Sequence, residues 1–271
     1  MKKLLFLSLP LLLCLPLVVF AASMGGVETL PKHSWDLGTE ISHVTYKEPG
    51  LMKEEGMMYG VVGSYTYHNN LMLKAEGKGS WGQMDYTGAL SDGTPYTMDG
   101  IKDFMLEFRG LGGYDFPVLK TSILTPYIGI GYRYLNDDSS SDPAGYGRES
   151  NYIYSPLGLE VTTNLENGWS WGATAEYDHF WWGLQKSHLS DYNSGLNDME
   201  NGQKKGYGIR GSIKLVKRGE KLDIIIEPFV KYWNIQQSKE ADITYNGEVI
   251  GYGVEPKNSS TEYGIRLAVK F

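Results

Sequence analysis

The chain has 271 residues, among them 34 glycines, 20 tyrosines and 7 tryptophans, and its mean hydropathy is −0.32. That mixture excludes a helical membrane protein, which needs repeated apolar stretches of about 20 residues. A formal charge of −7 argues against a nucleic-acid partner. What remains is a chain of many short strands rich in turn formers and aromatic side chains.

Met1-Lys2-Lys3 precedes an apolar run from Leu4 to Ala22 that Pro10 and Pro16 interrupt. A basic start, an apolar middle and a small-residue exit predict a secretory signal peptide over 1–22, cleaved after Ala21, Ala22 or Ser23. The chain's single cysteine, Cys14, falls inside this leader. A mature chain of 23–271, read as one domain, therefore offers no disulfide, cysteine nucleophile or thiolate metal site. Loss of Lys2 and Lys3 takes the formal charge from −7 to −9.

No later segment is long and apolar enough for a spanning helix, so any membrane crossing falls to strands closed into a barrel, because lipid leaves no exposed backbone group satisfied. Period-two alternation predicts strands near 35–46, 57–68, 71–86, 101–115, 123–136, 149–163, 168–182, 205–217, 221–236 and 260–271. Short connections at 68–70, 116–120, 164–168 and 218–220 alternate with long polar ones near 47–56, 87–100, 137–148, 183–204 and 237–259. Short periplasmic turns and long external loops are the asymmetry of outer-membrane barrels. The expected fold is all-β: a closed antiparallel up-and-down transmembrane β-barrel of about ten strands, with eight strands as the alternative and a soluble β-sandwich as the competitor.

With the apolar face turned to lipid, the charged face turns inward. The basic set is Lys74, Lys78, Arg109, Arg133, Arg210, Lys214, Lys231, Arg266 and Lys270; the acidic set is Glu40, Glu76, Glu107, Glu160, Glu176, Asp178, Asp223, Glu227 and Glu262. Buried charges are costly unless paired, so a lumen closed by interlocking ion pairs is expected, with the chain's excess of negative charge left to the loops. Trp35, Tyr59, Tyr65, Tyr67, Trp81, Tyr132, Tyr134, Trp169, Trp171, Tyr177, Trp181 and Tyr207 are candidates for the two interfacial girdles.

The last strand alternates cleanly. Tyr263, Ile265, Leu267, Val269 and Phe271 share one face, and Glu262, Gly264, Arg266, Ala268 and Lys270 share the other. At these residues the chain resembles bacterial outer-membrane β-barrel families of the OmpA-like and Opa-like kind. The resemblance covers the whole mature chain and implies a bacterial outer-membrane location, with outer-membrane lipid and lipopolysaccharide around the wall. It also implies that the five apolar residues of the last strand serve as the signal read by the barrel assembly machinery.

No catalytic, cofactor or metal site is expected. Asp178-His179 and Ser42-His43 are adjacent on strands and so point to opposite faces, and Ser187-His188 falls in a loop. His33, His43, His68, His179 and His188 lack ligand spacing. Asp137-Asp138 reads as solvated loop surface, with loose calcium binding as the alternative. Gly129 and Gly131 lie on a strand, where they relieve crowding. The expected function is therefore non-enzymatic: a barrel with long acidic surface loops, carrying Tyr192, Tyr245 and Tyr252, in a structural or adhesive role toward an unidentified extracellular ligand. A narrow solute channel is the alternative. A surface enzyme of omptin or lipid A-modifying type is a further one, to be revived if His179 or His188 meets a carboxylate or serine at the rim.

Overall fold

The computed structural model describes residues 30–90 and 92–271, and the expected leader 1–22 lies outside them. Fourteen strands run in chain order: β1 (His33–Glu48), β2 (Met52–Asn69), β3 (Leu71–Ala89), β4 (Pro95–Tyr114), β5 (Phe116–Leu119), β6 (Ser122–Asp138), β7 (Gly147–Asn164), β8 (Trp169–Ser187), β9 (Met199–Gln203), β10 (Gly206–Lys217), β11 (Asp223–Ile235), β12 (Ala241–Tyr245), β13 (Glu248–Gly253) and β14 (Asn258–Lys270). Ten of them form a closed antiparallel barrel in the order β1, β2, β3, β4, β6, β7, β8, β10, β11, β14, and β14 returns to β1 along the register Asp36 to Lys270 through Lys47 to Ser259. The eight-strand alternative is excluded.

The turns explain the closure. Asn70 links β2 to β3 with φ of 61°, and Asn167 and Gly168 link β7 to β8 with φ of 58° and 73°, left-handed conformations that asparagine and glycine tolerate best. These short turns share one end with Leu30 and with Phe271, whose backbone exchanges hydrogen bonds of 2.8 and 3.0 Å with Trp35. That end is periplasmic.

Outward side chains mark the membrane. Trp35, Tyr65, Tyr114, Phe116, Trp169, Trp171 and Phe271 ring the periplasmic edge, while Tyr59, Trp81, Phe104, Tyr132, Trp181 and Tyr263 ring the other, with Leu37, Val61, Leu73, Phe108, Ile128, Ile130, Leu157, Ile213 and Leu267 exposed between. Most strands continue past the outer girdle, and this is where they outrun the sequence expectation. Strand β2 begins at Met52 rather than 57, β4 at Pro95 rather than 101, and β8 ends at Ser187 rather than 182.

Two expected loops contain structure. The 183–204 segment holds the end of β8, a short helix α1 (Leu189–Tyr192) and β9, which pairs with β8 and extends the line of β10. The 237–259 segment holds the β12–β13 hairpin, turned by Asn246 (φ 50°) and Gly247 (φ 87°), a dipeptide suited to a two-residue turn whose twist matches the strands.

Candidate functional site: the lumen and its extracellular mouth

At mid-membrane the lumen is crossed by ion pairs. Arg210 is the hub: its Nη2 lies 2.5 Å from Glu107 Oε1 and 2.9 Å from the Tyr154 hydroxyl, and its Nε lies 2.6 Å from Asp178 and 3.2 Å from Glu176. Arg109 joins Glu76 at 3.2 Å to Glu176, to which Tyr127 donates at 2.7 Å. Across the lumen Lys78 bridges Glu262 (2.5 Å) and Glu40 (2.8 Å), and Arg266 bridges Glu40 (2.9 Å) and Glu227 (3.4 Å). Lys231 meets Glu262 at 3.6 Å, Lys74 meets Glu76 at 3.1 Å, and Lys214 meets Glu160 at 3.8 Å.

The structure thus brings most of the sequence-predicted inward charges together, with two exceptions that make no ion pair among the described residues: Arg133 packs over the rings of Tyr152 and Trp233 at 5.9 and 5.8 Å, and Asp223 accepts the Gly219 N–H at 3.2 Å in the β10–β11 turn. Below the network a polar cavity of about 450 Å³ reaches the periplasmic end, lined by Lys74, Glu160, Lys214 and Lys270.

Above it the lumen departs from the expectation of a charge-only closure. Val44, Met58, Met84, Ile101 and Met105 form one buried inward cluster, and Tyr152, Tyr154, Phe180, Trp233 and Ile235 another. A small cavity of about 30 Å³ lies between this layer and the mouth, lined by Met58, Met84, Met105, Tyr152 and Arg148. Glycines let this interior close: a Cβ on Gly131 would run into the Tyr154 ring, and one on Gly129 into the backbone of Gly110.

A third layer lies at the extracellular mouth, beyond the outer girdle. Arg148 contacts Asp137 at 2.6 Å, Glu54 at 3.1 Å and Glu48 at 3.5 Å, and stacks on Tyr46. Glu255 joins through the Tyr46 hydroxyl at 2.9 Å, and Asp103 faces the same small cavity. This corrects two expectations. Asp137 is not solvated loop surface but 4% exposed inside the lumen, and part of the acidic excess assigned to loops is buried here. Arg148 was hidden by a Ser, Asp and Gly neighbourhood that reads as loop; the alternation of Arg148, Ser150, Tyr152 and Tyr154 continuing from the strand was the available signal.

The candidate catalytic pairs separate as alternation requires. Asp178 faces Arg210 while His179 packs edge-on against Trp181, and Ser42 donates to Glu262 while His43 stacks on Tyr263. His188 does meet carboxylates at the rim: Nδ1 lies 2.9 Å from Asp198 and Nε2 lies 3.0 Å from Glu149. Ser190 donates to Asp198 at 2.6 Å, not to the imidazole. Partial burial works against charge on His188, yet its hydrogen bonds to the accepting carboxylates of Glu149 and Asp198 outweigh it and raise its pKa. Among the described residues no three His, Cys, Asp or Glu side chains assemble to hold a metal ion.

The family model described as autotransporter beta-domain matches residues 37–214. No curated protein matches the chain. Among solved structures, the outer membrane protease OmpT of Escherichia coli is similar at 12% identity and a TM-score of 0.65, covering 90% of this chain and 99% of its own. The translocator domain of the autotransporter NalP from Neisseria meningitidis aligns at 12% identity with a TM-score of 0.42, over 90% of this chain and 89% of its own. Ail, the attachment invasion locus protein of Yersinia pestis, aligns at 10% identity with a TM-score of 0.31, over 89% and 100%. At such identities the likeness to OmpT speaks for the barrel fold alone.

Proposed function

The chain belongs to the autotransporter beta-domain family and is a bacterial outer-membrane β-barrel, and from that premise we propose that it is a non-enzymatic barrel with a sealed lumen that presents structured extracellular loops to a partner outside the cell. One observation carries the reading: three stacked layers, ionic, apolar and Arg148-centred, fill the lumen from its middle to its mouth, with about 30 Å³ left open in the upper part. A conducting pore of this width needs a continuous water path, which dewets where the walls are methionine and aromatic side chains. What the molecule shows to the outside is instead the α1 segment and the β12–β13 hairpin, where Tyr192, Tyr245, Tyr252, Val249 and Ile250 are exposed. Loop contacts on a rigid scaffold are a common way of building a binding surface. Liposome swelling tests it. Proteoliposomes in an isotonic pentose solution are expected to swell no faster than empty liposomes, and porin-like swelling would contradict the reading.

A surface hydrolase is the second reading, favoured by His188 beside Asp198, Glu149 and Ser190. A general base needs a free ring nitrogen aimed at the proton it removes, and both nitrogens of His188 are held by carboxylates. That geometry supports an ionic clamp between the α1 segment and β7. Hydrolysis of a peptide or lipid by the purified protein that His188→Gln abolishes would overturn the non-enzymatic reading.

A further inference from the structure

Five carboxyl groups, those of Glu48, Glu54, Asp103, Asp137 and Glu255, are buried at the extracellular mouth, and among the described residues Arg148 is the one cation in contact with them. Arg133 lines the small cavity below but is engaged with aromatic rings. Five buried anions against one cation is an unstable balance, and buried carboxylates without partners neutralise instead.

Two contacts show where protons are needed. The Tyr46 hydroxyl lies 3.0 Å from Glu48 Oε1 and 2.9 Å from Glu255 Oε1. A phenol has one proton to donate, so the second contact is a hydrogen bond only when one of the two carboxyls carries a proton of its own. The other place is the β4–β6 seam, where Asp103 stands directly opposite Asp137 on the lumen face. Asp103 is 7% exposed, and among the described residues it has no ion pair and Oδ1 of each aspartate is buried without a hydrogen-bond partner. Directly opposed side chains on one face have Cβ atoms about 4.5–5.5 Å apart, within reach of a shared hydrogen bond. A proton on Asp103, donated to Asp137, would satisfy both orphaned oxygens at once.

We propose that this cluster is a proton-operated latch: protons held by the Asp103–Asp137 pair and around Tyr46 keep the base of the hairpin loop seated on the barrel, and their loss releases it. The loop is the element outside the barrel wall: further ties of its base, Lys239 N–H to the Gly202 carbonyl at 3.2 Å and Asn201 Nδ2 to the Lys239 and Gly253 carbonyls at 2.9 and 3.2 Å, run to β9. Glu255 closes its base through Ser238, with backbone N–H to Oγ at 2.8 Å and Ser238 N–H to the Glu255 carbonyl at 3.0 Å, and its carboxyl is the group in the cluster that does not sit on a barrel strand. The other titratable neighbours are the phenols Tyr86 on β3, Tyr146 in the β6–β7 connection and Tyr152 on β7, while β8 and β14 contribute uncharged Gln185 and Asn258. Among the described residues no second cation contacts the five carboxyls to absorb added charge, so ionisation drives Glu255 and the base of the loop outward. This goes beyond the presentation role and does not depend on what the loops bind.

The test uses the full chain carrying Cys14→Ser, in detergent micelles, with a spin label on Lys257→Cys, an exposed position at the loop base two residues from Glu255. The label should be immobilised at about pH 5.5 and show a mobile component at about pH 8.5. Asp103→Asn donates an amide N–H to Asp137 at every pH, so in that background the mobile component should fall several-fold at the higher pH; Glu255→Gln, a near-isosteric change outside the barrel strands, should act likewise. A spectrum independent of pH, or variants that titrate like the parent, would overturn the latch. Calcium restoring immobility at about pH 8.5 in the parent but not in Asp103→Asn would also overturn it, since a metal ion rather than protons would then balance the cluster.

Discussion

Arg148 is the residue whose loss should be felt most at the mouth. Among the described residues it alone pairs with Glu48, Glu54 and Asp137. Removing one side of a buried ion pair costs about 3–5 kcal/mol, because the abandoned charges stay buried, and with the Arg148 side chain 16% exposed the low end applies. Arg148→Met is expected to lower the urea midpoint of the refolded protein accordingly, with recovery at acid pH as the carboxylates protonate; an unchanged midpoint would mean that the mouth carries no net charge stress. Met58, 2% exposed in the apolar layer, makes a separate prediction. Met58→Ala should cost about 2–5 kcal/mol by leaving a cavity that the barrel wall cannot collapse into. These two residues also show what the sequence concealed. Alternation made Glu107, Arg109, Asp178 and Arg210 readable as inward. The same alternation puts Met58, Met84 and Met105 inward, but an inward methionine contradicts the rule of a polar lumen, so the apolar plug was not legible from that rule.

The loop that follows β11 carries the pH dependence. Burial, with Glu48 and Asp137 adding to it, pushes the Glu255 carboxyl up to about 7 against the opposing pull of Arg148. A carboxyl raised above its unfolded value of about 4.3 stabilises the fold when protonated: its contribution is complete below that unfolded value and is lost as pH rises through about 7. Hydrogen exchange of the 236–257 amides, corrected for intrinsic rates, should therefore show protection fading over that window, and Glu255→Gln should flatten the profile. His188 acts in the same direction at the α1 segment, since its raised pKa gives a clamp that is lost as pH climbs above its ordinary range. The β12–β13 hairpin itself was within reach of sequence reasoning. Thr244-Tyr245 and Val249-Ile250 flank Asn246-Gly247, the usual signature of a two-residue turn, but the surrounding polar residues outweighed it. At the other end of the chain, deletion of Phe271 removes the two backbone hydrogen bonds to Trp35 that finish the β14–β1 seam. A lower yield of folded barrel in the outer membrane is expected, read as the fraction that resists unfolding in unheated gel samples; a normal yield would argue that this seam closes without its last rung.

Across the whole molecule the wall and the filling divide the work. Apolar and aromatic side chains on the outer face fix the protein in the outer membrane, and the inner face replaces a water column with ion pairs, then methionines and aromatics, then the Arg148 cluster. The wall was legible because lipid imposes one rule on every strand. The filling was legible only for its charges, since nothing in a single strand says which opposite-wall residue it will meet: Arg210 reaches Glu107 across the lumen, far apart in sequence. The central claim is that this filling leaves no conducting path, and single-molecule recording in planar bilayers tests it most directly. The intact protein is predicted to insert without a steady conductance, and a variant carrying Met58→Gly, Met84→Gly and Arg148→Gly together to show one. A stable open channel from the intact protein would contradict the account.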